Sequence, residues 1–340
     1  MHFGARSPRH GACFARRRPA APGEFACVLA NGQRIPQQQG AMPQHRHAPA
    51  GAGGGHLSRE LRRIEWYHAL GKFEADVLHE QPRTQRPRRI ILVAHGEQHF
   101  VQAASPVNMR AMPIGAIRAI CFDLDNTLWE IEPVLMRAER ILADWLKARY
   151  PRIPERFSAA DVLEVRTSLL REQPHQAHDL SYLRRETIAR LGEAVGYERD
   201  MANEAFALWH AARNQVEPFA DVTPALEKLK RRFRLATLTN GNADLAMIGL
   251  AHHFEVTLSA GALGCAKPDA RAYARLADAL TLKPAEILFV GDEPHADVDG
   301  PRTAGMQTVW VNRGGVVWPD ALPAADACIT DLEGLVTLLS

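Results

Sequence analysis

The sequence is poor in several features that would each point to a class of protein. Cysteine is scarce: Cys13, Cys27, Cys121, Cys265 and Cys328 are odd in number and far apart in 340 residues. They form no CxxC pair and no Cys/His ligand spacing, which argues against a disulfide framework and favours a reducing, cytoplasmic setting. No run approaches the roughly 18 consecutive apolar residues of a membrane span. The formal charge is only +2, so the whole chain has no electrostatic reason to bind nucleic acid or a membrane surface. What remains, 46% apolar and 24% charged, is an ordinary globular composition, long enough for one large α/β domain plus a smaller module.

Acidic residues are nearly missing from the first 57 positions, where Glu24 stands against seven arginines. This stretch is crowded with Gly, Pro, Gln and His and shows no period of 2 or 3.6 that would bury a face. Residues 58–80 place Leu61, Ile64, Leu70, Phe73 and Val77 at helical spacing, and 88–94 suit a short strand, but neither has partners for a core. An arginine-rich start resembles a transit peptide, yet its Gly and Pro content spoils an amphipathic helix. A basic tail for RNA or DNA lacks interleaved aromatics. The expectation for 1–111 is a largely disordered, dispensable extension upstream of Met109 or Met112.

From residue 115 the texture changes. Apolar β-rich runs at 117–122, 235–239, 256–259, 287–290, 308–311 and 328–330 alternate with helical patterns at 223–232, 243–251, 269–280, 296–304 and 332–339. Strands apolar on both faces, alternating with helices, predict an α/β fold with a doubly wound, Rossmann-type parallel sheet. The first crossover differs, since no strand-like run separates Phe122 from Leu235. Val134, Leu135, Ala138, Ile141, Leu142, Trp145 and Leu146 begin a series of helices there. The predicted organisation is a core of 115–132 and 219–340 with a helical cap, 133–218, inserted after the first strand.

Polar residues gather at the predicted strand ends. Asp123 and Asp125 follow the first strand; two carboxylates so close need a cation or proton, and Mg²⁺ suits them. Thr239, Asn240, Gly241 and Asn242 follow the second strand, where a hydroxyl and turn N–H groups cradle phosphate oxygens. Lys267 and Pro268 open a helix, with proline at a favourable early position. Asp292 ends the fourth strand and Asp297 lies near the next helix start. Each signal alone is ambiguous, but all four fall at the carboxyl ends of strands, where such sheets bind ligands.

In this order, DxDxT, Thr-Asn-Gly, Lys-Pro and GDxxxxD resemble the four motifs of the haloacid dehalogenase superfamily over about residues 115–340. The resemblance implies Asp123 as nucleophile and Asp125 as general acid and base. Thr239, Asn240 and Lys267 would bind the phosphoryl group. Asp123, the Asp125 carbonyl and Asp292 would hold Mg²⁺, supported by Asp297. Dehalogenases of this fold generally lack an Asp two residues after the nucleophile, so Asp125 favours a phosphatase.

Residues 120–129, 239–243 and 289–311 are similar to phosphatases acting on flavin mononucleotide and the phosphoribitylamino-pyrimidine precursor of riboflavin. Pro294, His295, Pro301 and Ala266 depart from that pattern. Trp129, His178, Arg184 and His295 are candidate contacts to a small phosphorylated metabolite. A sugar phosphomutase would share the core residues. A non-catalytic scaffold with a basic binding tail is the alternative of another class. A receiver domain is disfavoured because its Asp follows the third strand, and a dinucleotide site because the first turn has no glycine.

Overall fold

The computed structural model describes residues 116–340; the expected extension at 1–111 lies outside them. Six parallel strands form one sheet in the order β3-β2-β1-β4-β5-β6. They are β1 (Ala119–Phe122), β2 (Arg234–Thr239), β3 (Val256–Ser259), β4 (Ile287–Gly291), β5 (Gln307–Val311) and β6 (Ala327–Ile329). β1 lies between β2 and β4, with Phe122 in register with Thr237 and Val290. Connections wind outward to either side of β1, which puts the crevice of the sheet at its carboxyl end.

Both faces are buried, as the apolar runs predict. Ile120, Phe122, Leu288 and Val290 pack on one face beneath Leu226 of one helix and Leu332 and Leu335 of another. On the opposite face Ala119, Cys121, Ile287 and Phe289 meet Tyr273, Leu276 and Leu280. Alternation along β1 therefore divides its four residues between two cores.

Between β1 and β2 run the helices α1 (Glu132–Arg149), α2 (Arg152–Arg156), α3 (Ala159–Glu172), α4 (Leu180–Ala194), α5 (Met201–Arg213) and α6 (Val222–Leu229). The first five build a separate apolar cluster. Leu135, Ala138, Leu142 and Leu146 on α1 meet Ile188 on α4 and Ala205 and Trp209 on α5. Ser158 starts α3 with a reciprocal capping box to Asp161. The chain leaves the sheet and returns side by side, since Trp129 and Pro218 form an antiparallel bridge.

After β2 come α7 (Leu245–Ile248), α8 (Ala260–Leu263), α9 (Ala270–Leu280), α10 (Gly300–Thr303) and α11 (Leu332–Leu338). Two expected helices are shorter than predicted. The one at 243–251 is α7 alone, capped by Asp244 and ended by Gly249 at φ 89°. The one at 296–304 is replaced by a π-helical turn, Pro294–Asp299, followed by α10. Pro301 has no N–H to continue an α ladder through that point.

Candidate active site

The loops after β1, β2 and β4 and the segment before α9 surround a partly open cavity against the helical insert. Asp123, Asp125, Thr239, Asn240, Lys267, Asp292 and Asp297 all line it. The loop after β1 turns sharply: Asn126 takes a left-handed conformation at φ 60°, which Asn tolerates better than most residues. Leu124 and Leu128 anchor that loop in the core.

Lys267 is buried and binds two carboxylates, Asp123 Oδ1 at 2.7 Å and Asp297 Oδ1 at 2.6 Å. Carboxylate oxygens of Asp123, Asp292 and Asp297 lie within 4.8 Å of one another. Three carboxylates against one ammonium leave an excess of negative charge in a poorly solvated place. Burial accordingly pushes Asp123 up to about 7, with Asp297 and Asp125 adding to the shift and Lys267 opposing it. Burial, then Asp123 and Asp297, hold Asp292 well above the usual carboxylate range. For Lys267 burial works against the charge, but Asp123 and Asp297 outweigh it and raise its affinity for the proton.

Two glycines are required by close approach. A Cβ on Gly291 would collide with Asp297 Cγ, because the wide π turn brings that aspartate back against the end of β4. A Cβ on Gly241 would lie 2.7 Å from Asp125 Oδ2. Thr239 Oγ1 accepts from the Gly241 N–H at 2.9 Å, which leaves the threonine's own proton for a ligand oxygen.

Asp125 is wired differently from Asp123. Its Oδ1 accepts from Trp129 Nε1 at 2.8 Å, and Arg213 Nη2 reaches both oxygens, at 2.9 and 2.6 Å. Arg213 Nε donates to Asn242 Oδ1 at 3.1 Å. Sequence reasoning missed Arg213, although a signal existed: it continues the four-residue spacing of the buried Met201, Ala205 and Trp209 on α5. A charged residue on a buried helical stripe needs a partner.

Several expectations are corrected by the geometry. Arg184 does not face the cavity but lies in the core of the helical insert, 2.7 Å from Glu139 and stacked 3.7 Å over Trp209. Trp129 is fully buried and serves Asp125 rather than the cavity. His178 and the exposed His295 are not among the residues lining the cavity. Asn240 does line the cavity, and its side chain bonds the main-chain N–H and carbonyl of Lys267 at 2.8 Å each, which fixes the loop. Pro268 precedes α9's cap, Asp269, and is not itself a helical residue.

A parallel sheet with acidic loops around a buried lysine defines a class of hydrolase. Residues 117–305 match the haloacid dehalogenase-like hydrolase family, and the chain belongs to it. The chain is 32% identical to the 5-amino-6-(5-phospho-D-ribitylamino)uracil phosphatase YigB of Escherichia coli (strain K12), over 58% of this chain and 85% of that protein. It is 26% identical to human (Homo sapiens) N-acylneuraminate-9-phosphatase over 67% of this chain and 96% of that one. The crystal structure of a 2-haloacid dehalogenase from Pseudomonas syringae pv. Tomato DC3000 is similar with a TM-score of 0.63 and 37% identity, covering 66% and 98% of the two chains.

Proposed function

We propose that the chain is a Mg²⁺-dependent phosphomonoester hydrolase acting on a small phosphorylated metabolite through an aspartyl-phosphate on Asp123. The observation that carries this reading is a pair of carboxylates at one strand end with different partners: Asp123 on Lys267, Asp125 on Arg213 and Trp129. Attack of the Asp123 carboxylate on phosphorus, with Lys267 fixing its orientation, divides one very slow hydrolysis into two steps. Asp125 gives a proton to the departing alkoxide oxygen. It then takes one from the water that attacks the phosphorus and frees Asp123. Thr239 and Lys267 offer donors to the phosphoryl oxygens as charge builds on them.

The donor set fits a hard divalent ion, because oxygen ligands carrying an uncompensated negative charge suit Mg²⁺ better than a softer metal. Asp123, the main-chain carbonyl of Asp125 and Asp292 would hold it, with Asp297 alongside. When bound it supplies positive charge to the phosphoryl oxygens. In this reading residues 133–218 form a cap over the core of 115–132 and 219–340, and 1–111 takes no part in the chemistry. Likeness to the Escherichia coli enzyme supports a phosphoribitylamino-pyrimidine as substrate, and flavin mononucleotide, which carries the same ribitol phosphate, is the related candidate; a cytoplasmic place rests on the few, scattered cysteines alone.

Dehalogenation is the second reading, favoured by the Pseudomonas syringae likeness. Asp125 separates the two, since a halide leaves without a proton whereas an alkoxide needs one. Phosphate release should be measured with Mg²⁺ on p-nitrophenyl phosphate, flavin mononucleotide, sugar phosphates and nucleotides, beside halide release from 2-chloropropionate. Phosphate without halide is expected, falling about a thousandfold or more in Asp123→Asn. Asp125→Asn should slow alkyl esters much more than the p-nitrophenyl ester, whose phenolate leaves without help. Halide release alone would overturn the proposal, isomerised sugar phosphate would indicate a mutase, and no turnover at all a scaffold.

A further inference from the structure

The walls of the cavity differ in character. Asp123, Thr239, Lys267, Asp292 and Asp297 form a charged floor at the carboxyl end of the sheet. The helical insert contributes Leu135 from α1 and Leu180 from α4, with Ile131 just ahead of α1. All three are aliphatic, so whichever side-chain atoms face the cavity, the surface they offer is carbon. Each keeps exposed surface: Leu135 and Leu180 are 8% and 7% exposed, and Ile131 is half-buried.

Hydrogen bonds place this aliphatic wall beside Asp125. The Ile131 N–H donates at 3.2 Å to Oδ1 of Asn126, the neighbour of Asp125, and the Leu135 N–H bonds the Ile131 carbonyl at 2.9 Å. On the other flank Ser181, which follows Leu180, accepts from Asn242 Nδ2 at 3.2 Å. Asn242 Oδ1 in turn holds Arg213 Nε, and Arg213 Nη2 holds Asp125. The polar side chains set among the aliphatic ones are thus engaged with one another. Arg213 Nη1 is buried, and Lys267 is engaged with Asp123 and Asp297.

We infer that Ile131, Leu135 and Leu180 are specificity determinants that contact the carbons next to the ester oxygen. This deepens the phosphatase reading and rests on it. In an in-line displacement the leaving oxygen departs on the side opposite the attacking Asp123 oxygen. Asp125 must reach that oxygen to give it a proton, so the attached carbons lie against the residues that flank Asp125. Aliphatic contact stabilises a methylene there, whereas a hydroxyl or carboxylate loses water and gains no partner. The substrate class is a phosphomonoester of an alcohol that is apolar at its nearest carbons. Among the candidates this places a ribityl or sugar phosphate below an alkyl phosphate of the same length.

The test uses the full chain with Mg²⁺ and two pairs of isosteric esters: n-propyl against 2-hydroxyethyl phosphate, and n-butyl against 3-hydroxypropyl phosphate. Each pair exchanges a methyl for a hydroxyl and keeps its length. Wild-type protein should favour the alkyl member by about 10- to 100-fold in kcat/KM, the discrimination an apolar pocket gives against such an isostere. In the series methyl, ethyl and n-propyl phosphate, each added methylene should raise kcat/KM about fourfold. Ile131→Thr and Leu180→Asn should each lower the alkyl preference about threefold or more, because each gives the hydroxyl a partner; Ile131→Val should keep it. A wild-type protein that treats both pairs alike, or favours the hydroxyl members, would overturn the inference, and this comparison needs no variant to fold. So would a preference unchanged in folded Ile131→Thr and Leu180→Asn proteins. Turnover of p-nitrophenyl phosphate with none of the alkyl esters defeats the subsite alone. If wild type releases phosphate from no ester at all, the phosphatase reading fails and the subsite with it.

Discussion

Asp123 is a carboxylate kept where ionisation is unfavourable, and this has a consequence for stability. Its value in the folded chain, about 7, lies above the ordinary 3.8, with burial as the largest cause. The folded state thus binds a proton more tightly than the unfolded state. The associated stability is complete below about pH 4 and lost as the pH rises through 7. Asp292 is raised by the same causes and acts in the same direction. Metal-free protein should therefore show a lower Tm at pH 8 than at pH 6, and added Mg²⁺ should raise Tm more at pH 8. Asp123→Asn should flatten the decline, and melts in EDTA at both pH values would check it. Parallel declines in wild type and variant would refute this account of the site. At this scale the sequence was informative about Asp123, Asp125, Thr239, Lys267, Asp292 and Asp297, because each follows a recognisable strand or opens a turn. It marked Arg213 only as a charge on a buried helical stripe and gave no sign of its partner Asp125, 88 positions away in the chain. Nothing local indicates that both ends of the Asn240 amide face the main chain of Lys267.

The helices of the insert owe part of their arrangement to a buried polar group. Glu139 on α1 binds Arg184 on α4 at 2.7 Å and accepts from Trp209 on α5 at 2.9 Å, so one carboxylate joins three helices. Removing one partner leaves the other charge buried. Arg184→Ala should lower stability by about 3–5 kcal/mol in chemical denaturation. It should do so without changing the order of preference among phosphate esters, because Arg184 is not among the residues lining the cavity. A variant as stable as wild type but altered in selectivity would restore Arg184 to the substrate. Helix positions were well marked by apolar spacing and by Ser158, but the π turn at Pro294–Asp299 was not. It depends on Asp297 packing against Gly291, a contact between residues on opposite sides of a loop.

Among the described residues, every strand of the sheet begins at or after Ala119, and the two buried cores and the cluster of the insert are drawn from residues 117–339. A chain of residues 112–340 should accordingly fold with the full chain's Tm and hydrolyse p-nitrophenyl phosphate at a similar kcat. A truncated product that aggregates or loses turnover would assign residues 1–111 a part in the fold or the site. The insert leaves and rejoins the sheet beside Trp129 and Pro218. Trp129 also holds Asp125, so the base of the insert and the proposed proton donor share one side chain.

Periodicity and strand-end chemistry by themselves determined the six parallel strands, the helical insertion and the acidic loops around a lysine. Those features are written in residues near one another in the chain, where apolar spacing and turn residues act directly. Which side chains finally meet was decided only by tertiary packing. Burial chose the partners of Arg213, Arg184 and Asn240, because a charge or amide removed from water must be satisfied by whatever the fold brings to it.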